Sequence, residues 1–209
     1  MPTIPVFSQY IYVGQTENND KVKEAFMPFL MQKERYFHSP WKGARCYTSC
    51  QHDKNNEMPW NIWLDNIRPC LEEFIKDLEP MQGYSLDVIE NWANIYEDEG
   101  FQEVHDHAFP GRSFACSYFL EKDTSPGAGG EFCLNSDSHT PTKYSGLDNI
   151  FKKFHDAERY IPDIKEGSII IFPCWLKHYT FPNHSNKRRT TFSANFRVNN
   201  FTRPNNDNG

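Results

Sequence analysis

The sequence predicts a mainly β protein with flanking helices, and three observations carry that prediction. From residue 86 onward, short β-rich runs follow one another with turn signals between them and no long helical stripe interrupting. Before residue 86, apolar side chains instead recur at steps of three and four, the spacing of one helix face. The 11 glycines and 14 prolines are scattered in short turn-like clusters, which suits many short strands better than a helical bundle. Strands at this density indicate an antiparallel sandwich or barrel.

The elements follow in order. Val22, Phe26, Phe29 and Leu30 form one apolar stripe and predict a first helix, with Pro28 inside it. Trp60, Trp63, Leu64, Ile67, Leu71, Phe74, Ile75 and Leu78 predict a second. Pro69 falls inside that run and predicts a kink or a break into two pieces, because proline lacks the N–H of an interior helix residue. Strands are expected over 86–96, 101–107, 113–121, 131–134, 168–172, 178–181 and 189–198. Pro126, Gly127, Gly129 and Gly130 mark one loop; residues 135–146 form a longer one, and 147–159 read as a short helix. With 209 residues and no internal repeat, a single domain is expected: helical N-terminal support over 1–85, a β core over 86–198 and a polar tail over 199–209.

Composition excludes several function classes. The formal net charge of −6 argues against phosphate-backbone binding, and the only dense basic run is Lys187, Arg188 and Arg189. Nucleic acid is therefore not expected as a partner. No stretch approaches the ~20 apolar residues of a membrane span, and residues 1–9 lack the basic and apolar regions of a signal peptide. The six cysteines (46, 50, 70, 116, 133 and 174) include no Cys-x-x-Cys pair and read as reduced thiols. Cytoplasm is the expected compartment.

Chemistry enters at Val104-His105-Asp106-His107. Side chains two apart on a strand share a face, so His105 and His107 point together and Asp106 points away. Glu103 has the same parity as the two histidines. Two imidazoles on one face are half of a transition-metal site. Far along the chain, a buried strand over 168–172 is followed by His178, and Arg189 opens the next alternating strand. A third histidine closes such a site, and a guanidinium suits the far end of a metal-bound dicarboxylate because its planar fork meets a carboxylate bidentately.

These pieces together resemble the Fe(II)/2-oxoglutarate-dependent oxygenase superfamily over residues 86–198. The matching segments are His105-Asp106-His107, Tyr118-Phe119-Leu120, Gly129-Gly130-Glu131-Phe132, the apolar run over 167–173, His178 and Arg189. Their order is similar to the prolyl-hydroxylase-like branch. Arg189-Thr190-Thr191 resembles the Arg-x-Ser/Thr motif that holds the cosubstrate's distal carboxylate, and Asn94-Ile95-Tyr96 resembles an Asn-x-Tyr motif that hydrogen-bonds 2-oxoglutarate in the nucleic-acid demethylase branch. The superfamily mostly has a carboxylate where this chain has His107. A His-x-His branch, common in marine phages and bacteria, is similar here and in 172–178 and 193–196, which implies a bacterial host's cytoplasm for a phage-encoded copy.

The resemblance implies a double-stranded β-helix (jelly-roll, cupin-like). It also implies Fe(II) held by His105, His107 and His178, with 2-oxoglutarate and O2 as cosubstrates. Arg189, Asn94, Tyr96, Thr191 and Tyr118 are the expected 2-oxoglutarate contacts; Tyr118, Phe101, Phe109 and Phe192 are candidate pocket walls, with core packing the safer reading for each. Asp106 in place of His107 stays open as the alternative ligand, requiring a twist or bulge to turn inward. The implied reaction is hydroxylation of a peptide or protein side chain or a small metabolite, with release of succinate and CO2. Three rivals stand beside it: a three-histidine cupin-type dioxygenase that uses no 2-oxoglutarate, a non-catalytic jelly-roll binding module, and a zinc hydrolase. Oligomeric state is not legible.

Overall fold

The computed structural model describes residues 9–136, 144 and 159–200. The chain runs β1 (Tyr12–Gln15), α1 (Asn19–Leu30), α2 (Lys33–Tyr36), β2 (Ala44–Arg45), β3 (Tyr47–Thr48), a 3-10 turn (Asn55–Glu57) and α3 (Trp60–Asp77). It continues through β4 (Tyr84–Tyr96), β5 (Phe101–His105), β6 (Phe114–Glu121), β7 (Phe132–Asn135), β8 (Arg159–Tyr160), β9 (Ser168–Pro173), β10 (His178–Thr180) and β11 (Arg189–Asn200).

Two antiparallel sheets result, ordered β1-β9-β6-β11-β4-β3 and β2-β5-β10-β7-β8. From β4 onward, β4, β6, β9 and β11 lie in the first sheet, and β5, β7, β8 and β10 in the second. This is the double-stranded β-helix. Strand alternation sorts the first sheet's side chains into two sets. Ala93, Ile95, Cys116, Tyr118, Leu120, Phe192, Ala194 and Phe196 pack outward under the helices, against Val22, Phe26, Trp60, Trp63, Ile67 and Phe74. Ala115, Phe119, Ile170 and Phe172 face the other way and meet Phe132 and Leu134 of the second sheet. The polar residues of the site share that inner face.

Pro69 does not break its helix: α3 runs unbroken for 18 residues. The ring lies on the exposed face, as does Pro28 of α1, so the carbonyls that lose their partners turn to water rather than into the core. The expected strands are all present, with ends shifted by a few residues. One shift matters: β5 ends at His105, so His107 stands just beyond it. The helix expected over 147–159 and the polar tail over 199–209 fall outside the described residues, except that Arg159 opens β8 and residues 199–200 of the expected tail instead end β11, paired with β4; the loop over 135–146 lies largely outside them. Among the described residues, no disulfide links any of the six cysteines. Among the described residues, no helix is long and apolar enough to cross a membrane.

Candidate metal centre and cosubstrate pocket

His105, at the end of β5, and His178, at the start of β10, are direct cross-strand partners. The loop after β5 brings His107 beside them, pinned by its N–H to the Cys174 carbonyl at 2.8 Å. One ring nitrogen from each of the three lies within 4.8 Å of the other two. The ring centroids are 4.3 Å (His105–His178), 5.0 Å (His107–His178) and 5.4 Å (His105–His107) apart.

Each Nδ1 is already engaged. His105 Nδ1 donates to the Glu103 carbonyl at 2.8 Å, His178 Nδ1 to the Leu176 carbonyl at 3.0 Å, and His107 Nδ1 to the Asn195 side-chain Oδ1 at 2.8 Å. All three acceptors are oxygens, so each Nδ1 carries the proton and each Nε2 keeps its lone pair. Burial opposes a second proton. It pushes His107 down to about 4, with the neighbouring His105 adding to the effect, and lowers His105. His178, the most deeply buried, is driven well below the ordinary range, by burial first and then by the other two imidazoles. Three neutral imidazoles converging by Nε2 form a donor set for a divalent transition metal.

Asp106 is turned away from this cluster. It is exposed, and its carboxylate accepts the Ala108 N–H at 3.0 Å. A bulge does occur in β5, but upstream: β10 pairs His178 with His105 and Thr180 with Gln102, so an extra β5 residue is accommodated. That bulge brings Gln102 to the face of His105. The Gln102 amide lies 3.3 Å from His105 Nε2 and accepts the Tyr96 hydroxyl at 2.8 Å. Glu103, assigned by parity to the ligand face, instead accepts the Trp41 indole N–H and is absent from the cavity lining.

Beyond the histidines the cavity is lined by Trp92, Asn94 and Tyr96 of β4, Ser117 of β6, and Arg189, Thr191 and Ser193 of β11. Arg189 is 2% exposed, yet its Nε and Nη1 have no hydrogen-bond partner among the described residues. Its guanidinium carbon lies 4.6 Å from the Tyr96 ring centre and 5.3 Å from that of Phe119. Gly130 makes room for it: a Cβ there would approach Arg189 Cδ to 3.1 Å, and the residue sits at φ +67°, in the left-handed region that favours glycine.

The structure therefore brings Arg189, Asn94, Tyr96 and Thr191 to one cavity with the three histidines. Tyr118 does not join them. On β6 its side chain has the opposite parity to Ser117; its hydroxyl donates to Asn19 Oδ1 at 2.5 Å and accepts from Asn66 at 3.2 Å, on the helix side of the sheet. Phe192 likewise packs against Phe26 at 4.4 Å between ring centres. Phe101 and Phe109 do not line the cavity either, and Phe109 is 65% exposed. The sequence assigns no role to Gln102 or Ser117, and reaches Ser193 and Asn195 only within the segment 193–196 that resembles the His-x-His branch. Counting in twos from Arg189 reaches Ser193 and Asn195, whereas Gln102 depends on a bulge that nothing in the local sequence announces.

A family profile described as "Putative 2OG-Fe(II) oxygenase" matches residues 90–195, half of the chain. The chain belongs to that family. No curated protein matches it. Among solved structures, it is similar to a prolyl-4-hydroxylase from Pseudomonas putida (12% identity, TM-score 0.58, covering 91% of this chain and 93% of that one). It also resembles a prolyl hydroxylase from Trichoplax adhaerens, solved with a hypoxia inducible factor peptide fragment (11%, 0.61, 90% and 83%). A third is HygX from Streptomyces hygroscopicus, solved with nickel and 2-oxoglutarate (13%, 0.57, 90% and 82%). At these identities the likenesses establish the fold.

This 2OG-Fe(II) oxygenase has the donors its family's cofactor and cosubstrate require. The three Nε2 lone pairs suit Fe(II). The orphaned guanidinium, buried where two nitrogens lack any acceptor, suits a carboxylate such as the distal one of 2-oxoglutarate.

Proposed function

We propose that the chain hydroxylates a C–H bond of a peptide or protein side chain or of a small metabolite, consuming 2-oxoglutarate and O2 and releasing succinate and CO2. In this reading His105, His107 and His178 hold Fe(II), and Arg189 grips the distal carboxylate of 2-oxoglutarate, flanked by Tyr96, Thr191 and Asn94. The observation that carries it is the pairing, inside one cavity, of three neutral imidazoles with a buried guanidinium whose Nε and Nη1 have no hydrogen-bond partner among the described residues. Bound iron supplies the activation of O2 that the side chains cannot provide. The protein's own part is orientation and shielding. Arg189, stacked between Tyr96 and Phe119, fixes one end of the cosubstrate; Phe132 and Phe172, which pack on His178, keep its side of the site dry.

The neighbours' substrates favour a peptide or a small molecule. The Trichoplax enzyme was solved with a peptide fragment, and HygX has also been solved with hygromycin B bound. The net charge of −6 weighs against a nucleic acid. The test is succinate production by anaerobically iron-loaded protein, exposed to air with 2-oxoglutarate and panels of peptides and small metabolites. Succinate above the substrate-free background identifies the substrate class. Failure to bind one equivalent of iron, or cosubstrate consumption that is indifferent to Arg189→Ala, would end this reading in favour of a binding module or a cupin-type dioxygenase.

A further inference from the structure

The three histidines are not held alike. His105 and His178 each donate Nδ1–H to a backbone carbonyl two residues upstream, an acceptor that any sequence supplies. His107, beyond the end of β5, donates instead to a side chain 88 residues away in sequence, the Oδ1 of Asn195. An amide can present either its oxygen or its nitrogen, and only the oxygen accepts Nδ1–H.

Asn195 is fully buried, and its direct cross-strand partner is Glu90. The Glu90 carboxylate accepts from Asn195 Nδ2 at 2.5 Å. A carboxylate can only accept here, so the amide nitrogen must face Glu90 and the oxygen must face His107. Glu90 is in turn held by Arg112 at 2.5 Å. Arg112 belongs to the loop that carries His107 toward β6, so the same ion pair ties that loop to β4.

We infer that Asn195, locked by Glu90 and Arg112, is a positioning residue that fixes the tautomer and ring orientation of His107 and thereby sets metal affinity. The inference rests on the metal-site reading above. Asn195 touches neither metal nor cosubstrate; it acts through His107. The carboxylate that the broader superfamily uses at this ligand position needs no such tautomer control. An imidazole does, which gives the chain a use for a buried amide with one allowed orientation.

The test is anaerobic Co(II) titration of the metal-free full chain, followed by the ligand-field absorption of the bound ion, with thermal melts of each metal-free variant reporting folding separately. Asn195→Leu, similar in size but without an acceptor, should weaken Co(II) binding about 10–100-fold, the usual effect of removing a partner behind a metal ligand. Asn195→Asp, combined with Glu90→Gln so that the contact across the ladder keeps a donor, retains an acceptor for Nδ1–H and should rescue most of that loss. Glu90→Leu, at a partly exposed site, frees the amide to rotate and should weaken binding by less than Asn195→Leu. Wild-type affinity in Asn195→Leu would overturn the inference, as would equal losses in the Leu and Asp variants. Should Asn195→Leu not fold, wild-type affinity in Glu90→Leu decides against it. A wild-type chain that binds no Co(II) would overturn both this inference and the metal-site reading beneath it.

Discussion

Arg189 and Tyr96 are direct partners across the β11–β4 ladder, with the guanidinium carbon 4.6 Å from the centre of the phenol ring. The tyrosine supplies a π face but no formal charge. Burial lowers the basicity of Arg189, and it raises the pKa of Tyr96. The pair thus holds a desolvated cation whose Nε and Nη1 are left for a ligand, with the Glu131 carboxylate acting on it only at longer range.

Arg189→Met should therefore separate stability from function. Leaving a buried polar group without a partner costs about 1–3 kcal/mol, so the metal-free variant should melt higher than wild type by roughly 2–4 °C per kcal/mol relieved. It should also lose the thermal shift that 2-oxoglutarate gives wild type in the presence of Mn(II). Truncating one side of a buried charge pair costs about 2–5 kcal/mol, or roughly 30-fold or more in affinity. Scanning calorimetry with and without cosubstrate measures both effects; a variant that still responds to 2-oxoglutarate would contradict the assignment.

Asp106→Ala and His107→Ala decide the ligand set. Asp106 is exposed, its carboxylate accepts a local backbone N–H and it is no member of the histidine cluster, so its removal should leave metal stoichiometry at one per chain. His107→Ala should reduce metal content sharply. Elemental analysis of the two purified proteins is sufficient, and metal loss in the aspartate variant would restore the carboxylate alternative.

The metal-free protein should lose stability on mild acidification. His105, His107 and His178 are all lowered in the folded state, so below their ordinary value of about 6.5 the unfolded chain binds protons that the folded chain refuses. Stability is fully present above about pH 6.5 and declines as pH falls toward the folded value of His107, about 4. Urea unfolding between those limits should show this slope, and His178→Gln should flatten it. An unchanged slope in that variant would place the proton uptake elsewhere.

Tyr118→Phe should leave the apparent KM for 2-oxoglutarate unaltered. Its hydroxyl bonds to Asn19 and Asn66 beneath the helices, so the loss falls on stability, at about 1 kcal/mol for a typical hydrogen bond. A rise in KM without a change in melting temperature would return Tyr118 to the cosubstrate pocket.

The helix stripes at Val22–Leu30 and Trp60–Leu78 and the strand runs after residue 86 were legible in the sequence because periodicity is a local property. So were His105, His178 and Arg189, whose motifs resemble a known superfamily. Tyr118 shows the limit of such a motif: it fixes a strand, but the face that each residue takes follows from parity, and Tyr118 and Ser117 necessarily go opposite ways. Pro69 shows another, since a proline whose ring and freed carbonyl face water can be carried by a helix that stays continuous.

By itself, then, the sequence determined the antiparallel β class, the helical support and the residue types of a metal-and-carboxylate site, because each is written in short-range spacing. Only the tertiary structure decided that Asp106 faces solvent, that a bulge brings Gln102 to His105, and that Asn195 and Glu90 stand behind His107. These depend on strand register and on contacts between residues as many as 105 positions apart, and no local pattern encodes which of many possible pairings the folded core selects.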